Sequence, residues 1–364
     1  MKALILVGGF GTRLRPLTLT VPKPLMDFCN LPILCHQIQA LAAAGVTEII
    51  LAINYQPEVM MKELKKYEEM YKIKITCSLE SEPMGTAGPI RLAKELILAD
   101  NQDNLLFVFN SDVICHYPLS KLIEFHKSHG GEGTIMVTQV EDPTKYGVVV
   151  ADENQLIEKF VEKPQVFISN KINAGLYLFN TSIIDRIENR PTSIEREIFP
   201  KMAADKKIYQ MVLPGYWMDI GQPHDYLSGQ TLYLKSLAES DEMKGQLATG
   251  ANIKGNVIID PSAQIDPSST IGPNVVIGPN CKVGPGNCIK GSTLLAGSSV
   301  GSYSFIDGSI IGWKSSVGKW CRVTGLTVIA EDVQVKDETY LNGTKILPHK
   351  GVNGSHPQEG KIIM

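Results

Sequence analysis

The chain has 364 residues, which is longer than a typical single domain and predicts two domains that each bury a core. A formal net charge of -3 argues against a broadly basic surface, so we expect no nucleic-acid partner. The 7 cysteines contain no C-x-x-C pair, which argues against a disulfide framework or zinc site and favours a reducing cytoplasm. No apolar run approaches the roughly 18 residues of a membrane span, so we expect a soluble cytoplasmic protein without a membrane partner.

From Met1 to about Gly221, apolar runs alternate with helical stretches. KALILV, EIILAIN and LLFVFN are typical of buried strands, and PEVMMKELKKYEEMYK is typical of a helix. This alternation predicts a mainly parallel sheet with ligands at the carboxyl ends of its strands. GTIMVTQV, YGVVVAD and INAGLYLFN follow with less helix between them. We therefore expect a Rossmann-like mixed sheet in an α/β domain over residues 1–223.

After a predicted helical connector over residues 224–248, aliphatic side chains recur every six positions. They are Ile253, Ile259, Ile265, Ile271, Ile277, Val283, Ile289 and Leu295. Gly, Pro, Asn and Ser lie between them, which are turn residues. One inward aliphatic per short strand predicts a left-handed parallel β-helix of hexapeptide repeats over residues 249–364. The period slips near Val300, where we expect a bulged or strained coil.

Gly8, Gly9 and Gly11 follow the first strand in GGFGTRLRPLT. Glycines permit close backbone approach, so successive amide groups can line a triphosphate. Arg13 can add a charge-assisted contact. The segment is neither a Walker A loop nor a dinucleotide fingerprint. A tight turn with an incidental arginine is the alternative.

Two lysines next to prolines and two aspartates from distant segments are candidates for binding phosphates and a metal ion. Prolines flank Lys23 and aim it, and Lys163 precedes a proline in VEKP, although surface lysines are usually only solvated. Asp112 follows the strand LLFVFN, and Asp219 lies in WMDIG. Two carboxylates from distant segments suit one Mg²⁺ that also binds phosphate oxygens. Either aspartate by itself is equally typical of a turn or a cap.

The segment ESEPMGTAGP links a strand to a helix. Gly85 allows a planar base to approach the backbone, and Thr86 is predicted to cap the helix. Guanine presents adjacent N–H donors that a carboxylate accepts, so Glu80 or Glu82 is predicted to select guanine. The alternative is that both glutamates are solvated residues before the helix and do not bind a base. The amide and carboxylate groups that suit sugar hydroxyls are those of Asn173 and Glu162.

In order, GGFGTRLRPLT, VPKPL, EPMGTAGP, NSDV, VEKP, INAG and WMDIGQP resemble the signature series of the nucleotidyltransferases that activate sugar 1-phosphates. With the hexapeptide repeats, essentially the whole chain is similar to the eukaryotic mannose-1-phosphate guanylyltransferases of the catalytic, beta type. The compact glycine loop differs from the longer loop of the regulatory alpha type. The resemblance implies transfer of GMP from GTP to mannose 1-phosphate, giving GDP-mannose and pyrophosphate.

The resemblance also implies the parts of the site. The catalytic group is Arg13, Lys23 and Lys163. The nucleotide-binding residues are Leu6, Gly8, Gly9, Gly11, Thr12, Glu80, Glu82, Gly85 and Asn110. The sugar-binding residues are Gly147, Glu162, Asn173 and Asp219. The Mg²⁺ ligands are Asp112 and Asp219.

The sugar phosphate is itself a nucleophile, so we expect Mg²⁺-assisted in-line attack without a covalent intermediate. We expect a homo-oligomer through the β-helix, with a regulatory alpha-type paralogue as a further candidate partner. Two alternatives stay open: a regulatory, GDP-mannose-binding subunit, and a pyrophosphorylase for another pair such as glucose 1-phosphate with ATP or UTP. An acyltransferase role lacks a base, because no histidine lies between Ile253 and Val323.

Overall fold

The computed structural model describes residues 1–9, 11–54 and 57–364. These residues divide into two compact units. The first comprises Met1–Gly9 and Leu34–Trp217, and the second comprises the described part of 10–33 with Met218–Met364. The domain boundaries expected at residues 223 and 248 stay predictions.

The regular elements of the first 240 residues are bounded as follows. The described strands are β1 (Lys2–Val7), β2 (Asp27–Phe28), β3 (Leu31–Pro32), β4 (Glu48–Ile53), β5 (Lys74–Leu79), β6 (Leu105–Asn110), β7 (Val113–Cys115), β8 (Gly133–Gln139), β9 (Gly147–Ala151), β10 (Ile157–Glu162), β11 (Lys171–Asn180), β12 (Ile208–Val212) and β13 (Trp217–Asp219). The described helices are α1 (Ile33–Ala43), α2 (Pro57–Tyr71), α3 (Gly88–Leu92), α4 (Lys94–Leu98), α5 (Leu119–His129), α6 (Phe199–Ala204) and α7 (Pro223–Glu239). Within the described residues, none of the helices is both long and apolar enough to cross a membrane.

The first unit is built on one mixed sheet. Its order among the described strands is β10-β9-β11-β6-β1-β4-β5, and β8 pairs with β11 and β12. The strands β6, β1, β4 and β5 run parallel, whereas β11 is antiparallel to β6 and β8. The predicted Rossmann-like mixed sheet is confirmed. Its parallel half consists of strands that are joined through helices, because parallel strands need a long crossover connection.

The parallel half brings four strand ends to one edge. Leu6 on β1 is in register with Asn110 on β6, and Ile53 on β4 is in register with Leu79 on β5. Leu4, a residue of the strand between β6 and β4, is fully buried in the apolar core. Apolar packing therefore fixes the strands, and the segments that follow them leave the sheet together.

The second unit contains the repeats. Its strands in 249–364, a range that is described throughout, are β14 (Val257–Ile259), β15 (Gln264–Ile265), β16 (Thr270–Ile271), β17 (Val275–Ile277), β18 (Lys282–Val283), β19 (Cys288–Lys290), β20 (Thr293–Leu294), β21 (Ser299–Val300), β22 (Phe305–Asp307), β23 (Ile310–Ile311), β24 (Ser316–Val317), β25 (Arg322–Thr324), β26 (Val328–Ile329), β27 (Gln334–Val335), β28 (Tyr340–Asn342), β29 (Lys345–Ile346), β30 (Gly351–Val352) and β31 (Ile362–Ile363). In this range they form parallel sheets of seven, six and five strands, starting at β14, β15 and β16. This architecture agrees with the predicted left-handed β-helix.

The repeat departs from the predicted period at one position. Leu294, rather than Leu295, is in register with Ile277 and belongs to the core of the β-helix, so the step from Ile289 is five residues. The expected bulge near Val300 was wrong, because Val300 stays in register with its neighbours in both adjacent coils. The coil is shortened at a corner and continues without a bulge.

Short corners explain the five-residue steps. Only Gly291 and Ser292 connect β19 to β20, and Gly291 has a φ of 54°. The same arrangement of a glycine with positive φ and a Ser or Thr recurs at two later corners, Gly308-Ser309 and Gly343-Thr344. Glycine adopts this left-handed conformation without a steric penalty.

Candidate active site

A cavity of about 380 Å³ lies where β6, β1, β4 and β5 end. It is lined by Leu6, Gly8, Gly9, Asn54, Glu80, Pro83, Met84, Gly85, Thr86, Pro89, Asn110, Ser111 and Asp112. The predicted nucleotide and metal residues among these are Leu6, Gly8, Gly9, Glu80, Gly85, Asn110 and Asp112. The first unit therefore brings together residues that lie as far apart in the sequence as Leu6 and Asp112.

The glycine loop presents backbone to this cavity. A Cβ atom added at Gly8 or Gly9 would meet nothing within 4 Å, so packing does not require glycine at either position. Gly9 has a φ of 89°, which side-chain-bearing residues rarely adopt. The loop is exposed backbone at a strand end, as close approach of a phosphate requires.

The structure distinguishes the two candidate glutamates. Glu80 lines the cavity, and its carboxylate accepts a hydrogen bond of 3.0 Å from the Met84 amide. Burial raises the pKa of Glu80, and the Met84 hydrogen bond partly offsets this increase. Glu82 is exposed and does not line the cavity.

Gly85 and Thr86 both contact the segment around Thr192, which the sequence did not predict. A Cβ atom on Gly85, which has a φ of 74°, would lie 2.5 Å from the backbone oxygen of Thr192. The close approach of that chain segment therefore requires glycine there. The predicted cap was wrong: α3 has no side-chain cap, and the Thr86 hydroxyl donates to Glu195 at 2.6 Å. Thr86 also accepts a hydrogen bond from the Ile194 amide at 2.9 Å.

Asp112 lies in the two-residue turn between β6 and β7. Asn110, at the end of β6, has its side chain directly over Gly175, where an added Cβ would lie 2.7 Å from Asn110 Nδ2. Gly175 donates its amide to Asn173 Oδ1 at 2.9 Å. These contacts connect the Asp112 turn to the predicted sugar-binding residue Asn173.

Gly147 and Glu162 face each other across β9 and β10. A Cβ atom on Gly147 would lie 2.9 Å from Glu162 Oε2 and 2.5 Å from the Phe160 ring, so glycine leaves room for the carboxylate. Burial raises the pKa of Glu162, and the negative charge of Glu195 raises it further. Lys163 opposes this effect, with its Nζ 3.6 Å from Glu162 Oε1.

Lys163 is held by its backbone while its side chain is 59% exposed. Its backbone amide donates a hydrogen bond to the backbone oxygen of Tyr146 at 3.0 Å, and its φ is 48°. A left-handed conformation in a residue other than glycine costs about 1–3 kcal/mol and is enriched at functional sites.

Asn173 donates to the hydroxyl of Tyr177 at 2.8 Å. The pKa of Tyr177 is raised well above its usual value, first by burial and then by the negative charges of Glu195, Glu162 and Asp112. Tyr177, which contacts Asn173, therefore lies within electrostatic range of both Glu162 and the predicted metal ligand Asp112.

The remaining predicted residues belong to the second unit. Gly11 packs against Lys23, since an added Cβ would lie 3.0 Å from Lys23 Cβ. The Arg13 guanidinium lies against Gly221, where an added Cβ would lie 3.0 Å from Arg13 Cζ. Thr12, like Arg13, is exposed, and Asp219 is half-buried two residues before Gly221. Phe10 lies outside the described residues.

In the part of the chain that the structure describes, no three His, Cys, Asp or Glu side chains gather as a metal site. Mg²⁺ needs fewer protein ligands than that, because it keeps waters and binds phosphate oxygens. Asp112 lines the cavity, and an aspartate carboxylate fits this donor set. Asp112 and Asp219 belong to different units, so their pairing stays a prediction.

Sequence reasoning missed Asn54, Ser111 and Glu195. Asn54 directly follows the strand EIILAI, and this is the same signal that identified Asp112. Ser111 precedes Asp112 and also lines the cavity. Glu195 comes from a separate helical turn, Ile194–Ile198, and no sequence spacing relates it to Thr86.

Two family models match the chain. A model described as nucleotidyl transferase matches residues 2–236, and one described as the GMPPB C-terminal domain matches residues 253–363. Among solved structures, HddC from Yersinia pseudotuberculosis is 30% identical with a TM-score of 0.52, covering 63% of this chain and 97% of that chain. A complex of HddC with GMP-PN is 28% identical with a TM-score of 0.51, at the same coverage.

Curated relatives match from end to end. Mannose-1-phosphate guanyltransferase of Eremothecium gossypii is 57% identical over 100% of both chains. Probable mannose-1-phosphate guanylyltransferase 1 of Oryza sativa subsp. japonica is 58% identical over 98% of both chains. The chain therefore belongs to the nucleotidyl transferase family and, within it, to the mannose-1-phosphate guanylyltransferases.

Proposed function

We propose that this chain transfers GMP from GTP to mannose 1-phosphate and releases pyrophosphate. A phosphate oxygen of mannose 1-phosphate forms a bond to the α-phosphorus, while the bond from that phosphorus to the bridging oxygen breaks and its electron pair leaves with pyrophosphate. The observation that carries the proposal is the shared edge of the sheet, where the glycine loop, Asp112 and Glu80 line one cavity. The full-length relatives named for this reaction support the choice of substrates.

The chemistry needs no protein nucleophile, because the sugar phosphate is already an anion at neutral pH. Its difficulty is that two polyanions must meet. Amides of the glycine loop and the cations of Arg13, Lys23 and Lys163 offset that repulsion in this proposal. Holding both substrates in line contributes up to about 7–11 kcal/mol in favourable cases.

Glu80 is proposed to select guanine. Glu80 lines the cavity, and one of its carboxylate oxygens accepts a hydrogen bond from the Met84 amide. The carboxylate can also accept donors on the pairing edge of guanine. Gly147, Glu162 and Asn173 are proposed to bind the hydroxyls of mannose.

Magnesium is proposed as the cofactor, with Asp112 and Asp219 as its protein ligands. When bound, it would neutralise charge on the phosphates. Chelation with EDTA should abolish turnover, and added Mg²⁺ should restore it.

We also propose a cytoplasmic homo-oligomer that associates through the β-helix. The free thiols of all 7 cysteines, each in the described part of the chain, agree with a reducing compartment. Tyr303 and Trp320 support association, because their rings stack at 4.6 Å on the surface of the β-helix while 52% and 62% exposed. A regulatory alpha-type paralogue is a further candidate partner.

The test is incubation of the purified chain with GTP labelled at the α-phosphate, mannose 1-phosphate and Mg²⁺. We expect label in GDP-mannose and none on the denatured protein. Label retained on protein, for example at Lys163, would contradict direct transfer. Binding of GDP-mannose without any product would favour a regulatory subunit.

A further inference from the structure

Gln37 lies behind the turn that carries Asp112, in the same unit of the structure. It belongs to α1 and is fully buried. Its side-chain amide donates hydrogen bonds to the backbone oxygen of Asn110 at 2.8 Å and to that of Val113 at 3.1 Å. Asn110 ends β6 and Val113 begins β7, so one amide bridges the two sides of the Ser111-Asp112 turn.

The other end of this side chain argues against a purely structural role. Gln37 Oε1 is buried and has no hydrogen-bond partner among the described residues. A buried polar atom without a partner is destabilising. An apolar side chain of the same size would avoid that cost and would fill the same space. The amide donor, which binds the backbone oxygens of Asn110 and Val113, is therefore the reason for a glutamine at this position.

We infer that Gln37 is a positioning residue for the metal site, because its amide fixes the turn from which Asp112 reaches the cavity. Tyr117 strengthens the same turn, since its hydroxyl also donates to the Val113 oxygen, at 2.7 Å. The inference rests on the proposed function, in which Asp112 binds Mg²⁺. Outer residues that orient a metal ligand typically change metal affinity or activity by about 10- to 100-fold when replaced.

The chain offers a matched control. Gln210 on β12 is 1% exposed and also has a buried Oε1 without a partner among the described residues. Its amide donates to Gln155 at 3.0 Å, however, and not to the Asp112 turn. Replacing Gln37 or Gln210 with Met removes the same chemical group from an equally buried site.

The experiment compares the wild type, Gln37→Met, Gln210→Met and Asp112→Asn. Mn²⁺ is titrated into each variant in the presence of GDP-mannose, and bound Mn²⁺ is counted by paramagnetic resonance with protein-free nucleotide as the blank. The Mg²⁺ concentration for half-maximal turnover is measured in parallel. We expect Gln37→Met to raise both half-saturation concentrations about tenfold or more. Gln210→Met should stay within about twofold of the wild type.

Equal metal half-saturation in Gln37→Met and Gln210→Met would overturn the inference. If Asp112→Asn loses Mn²⁺ while Gln37→Met does not, only the positioning role of Gln37 fails. If Asp112→Asn binds Mn²⁺ as the wild type does, the proposed metal ligand itself fails. Should Gln37→Met not fold, Gln37→Asn gives the same comparison, because it keeps an amide but shortens its reach by one methylene.

Discussion

Leu6 and Asn110 lie side by side in register on neighbouring parallel strands, β1 and β6. The glycine loop begins two residues after Leu6, and Asp112 lies two residues after Asn110. The backbone proposed to bind phosphate and the carboxylate proposed to bind the metal therefore leave the sheet at the same edge. This follows from strand pairing, because the register of parallel strands fixes where each one ends.

Glu80→Gln should reduce the preference for GTP over ATP. A hydrogen bond to a charged acceptor contributes about 1.5–3 kcal/mol, so we expect kcat/KM for GTP to fall by about 10- to 150-fold. Glu82→Gln is the control, since Glu82 is exposed outside the cavity. An unchanged GTP preference in Glu80→Gln would remove Glu80 from base recognition.

The pH dependence of GTP binding provides a second test of Glu80. Burial raises its pKa, and guanine donors need the ionised form. We expect KM for GTP to rise as the pH falls through this raised pKa, at a higher pH than an ordinary glutamate at about 4.3 would give. Glu80→Gln should remove this acid limb, and its persistence would assign the limb to another group.

Lys163→Met should lower kcat/KM by about 10²–10³-fold, because it removes a cation proposed to stabilise the reacting phosphates. Lys159→Met is a matched control, because Lys159 is exposed on β10, the strand that ends one residue before Lys163. We expect that variant to keep nearly full activity. Similar steady-state constants for the two variants would contradict the catalytic assignment of Lys163.

Glu195→Gln should lower the pKa of Glu162. Burial is the main cause of the raised pKa of Glu162, and the carboxylate of Glu195 adds to it. Removing that like charge makes ionisation of Glu162 easier. The acid limb of kcat/KM for mannose 1-phosphate should then move to lower pH, and a limb that stays in place would show that Glu162 does not control it.

An ion-pair cluster away from the cavity should contribute to stability. Burial raises the pKa of Glu48, but hydrogen bonds from Lys2, Lys74 and Thr76 outweigh burial and hold it at about 2. Lys2 Nζ and Lys74 Nζ lie 2.8 Å and 2.9 Å from its carboxylate oxygens. Because the folded pKa is depressed, this contribution is present above the unfolded pKa of about 4.3 and disappears as the pH falls toward 2.

Glu48→Gln should therefore lower the free energy of unfolding by about 1–3 kcal/mol at pH 7, measured by urea denaturation. The difference from the wild type should shrink between about pH 4.3 and pH 2. Glu63→Gln is the control, because Glu63 is 52% exposed and its nearest lysine Nζ, that of Lys66, lies 3.6 Å away. A constant difference across that pH range would contradict the assigned ionisation.

Features that depend on strand order were predictable from the sequence. Gly8 and Asp112 each follow an apolar run, and the ends of parallel strands meet at one edge, so their proximity could be inferred. The mixed sheet followed from the shorter connections before β9 and β11. The β-helix followed from its period, because each coil repeats the same inward positions.

Features that depend on tertiary approach were not predictable. Gly85 is glycine because the backbone of Thr192 lies against it, and these two residues are far apart in the sequence. The inward position of Leu294 depends on the length of one corner. Gln37 and Gln39 both occur in α1, and only the packing of that helix shows which of them meets the Asp112 turn.

The most direct test of the proposed reaction is pyrophosphate release by the purified chain alone with Mg²⁺. GTP, ATP and UTP are each paired with mannose 1-phosphate and with glucose 1-phosphate. We expect strong turnover confined to GTP with mannose 1-phosphate. Turnover with a different pair would contradict the proposed selectivity, and none with any pair would contradict catalysis by this chain.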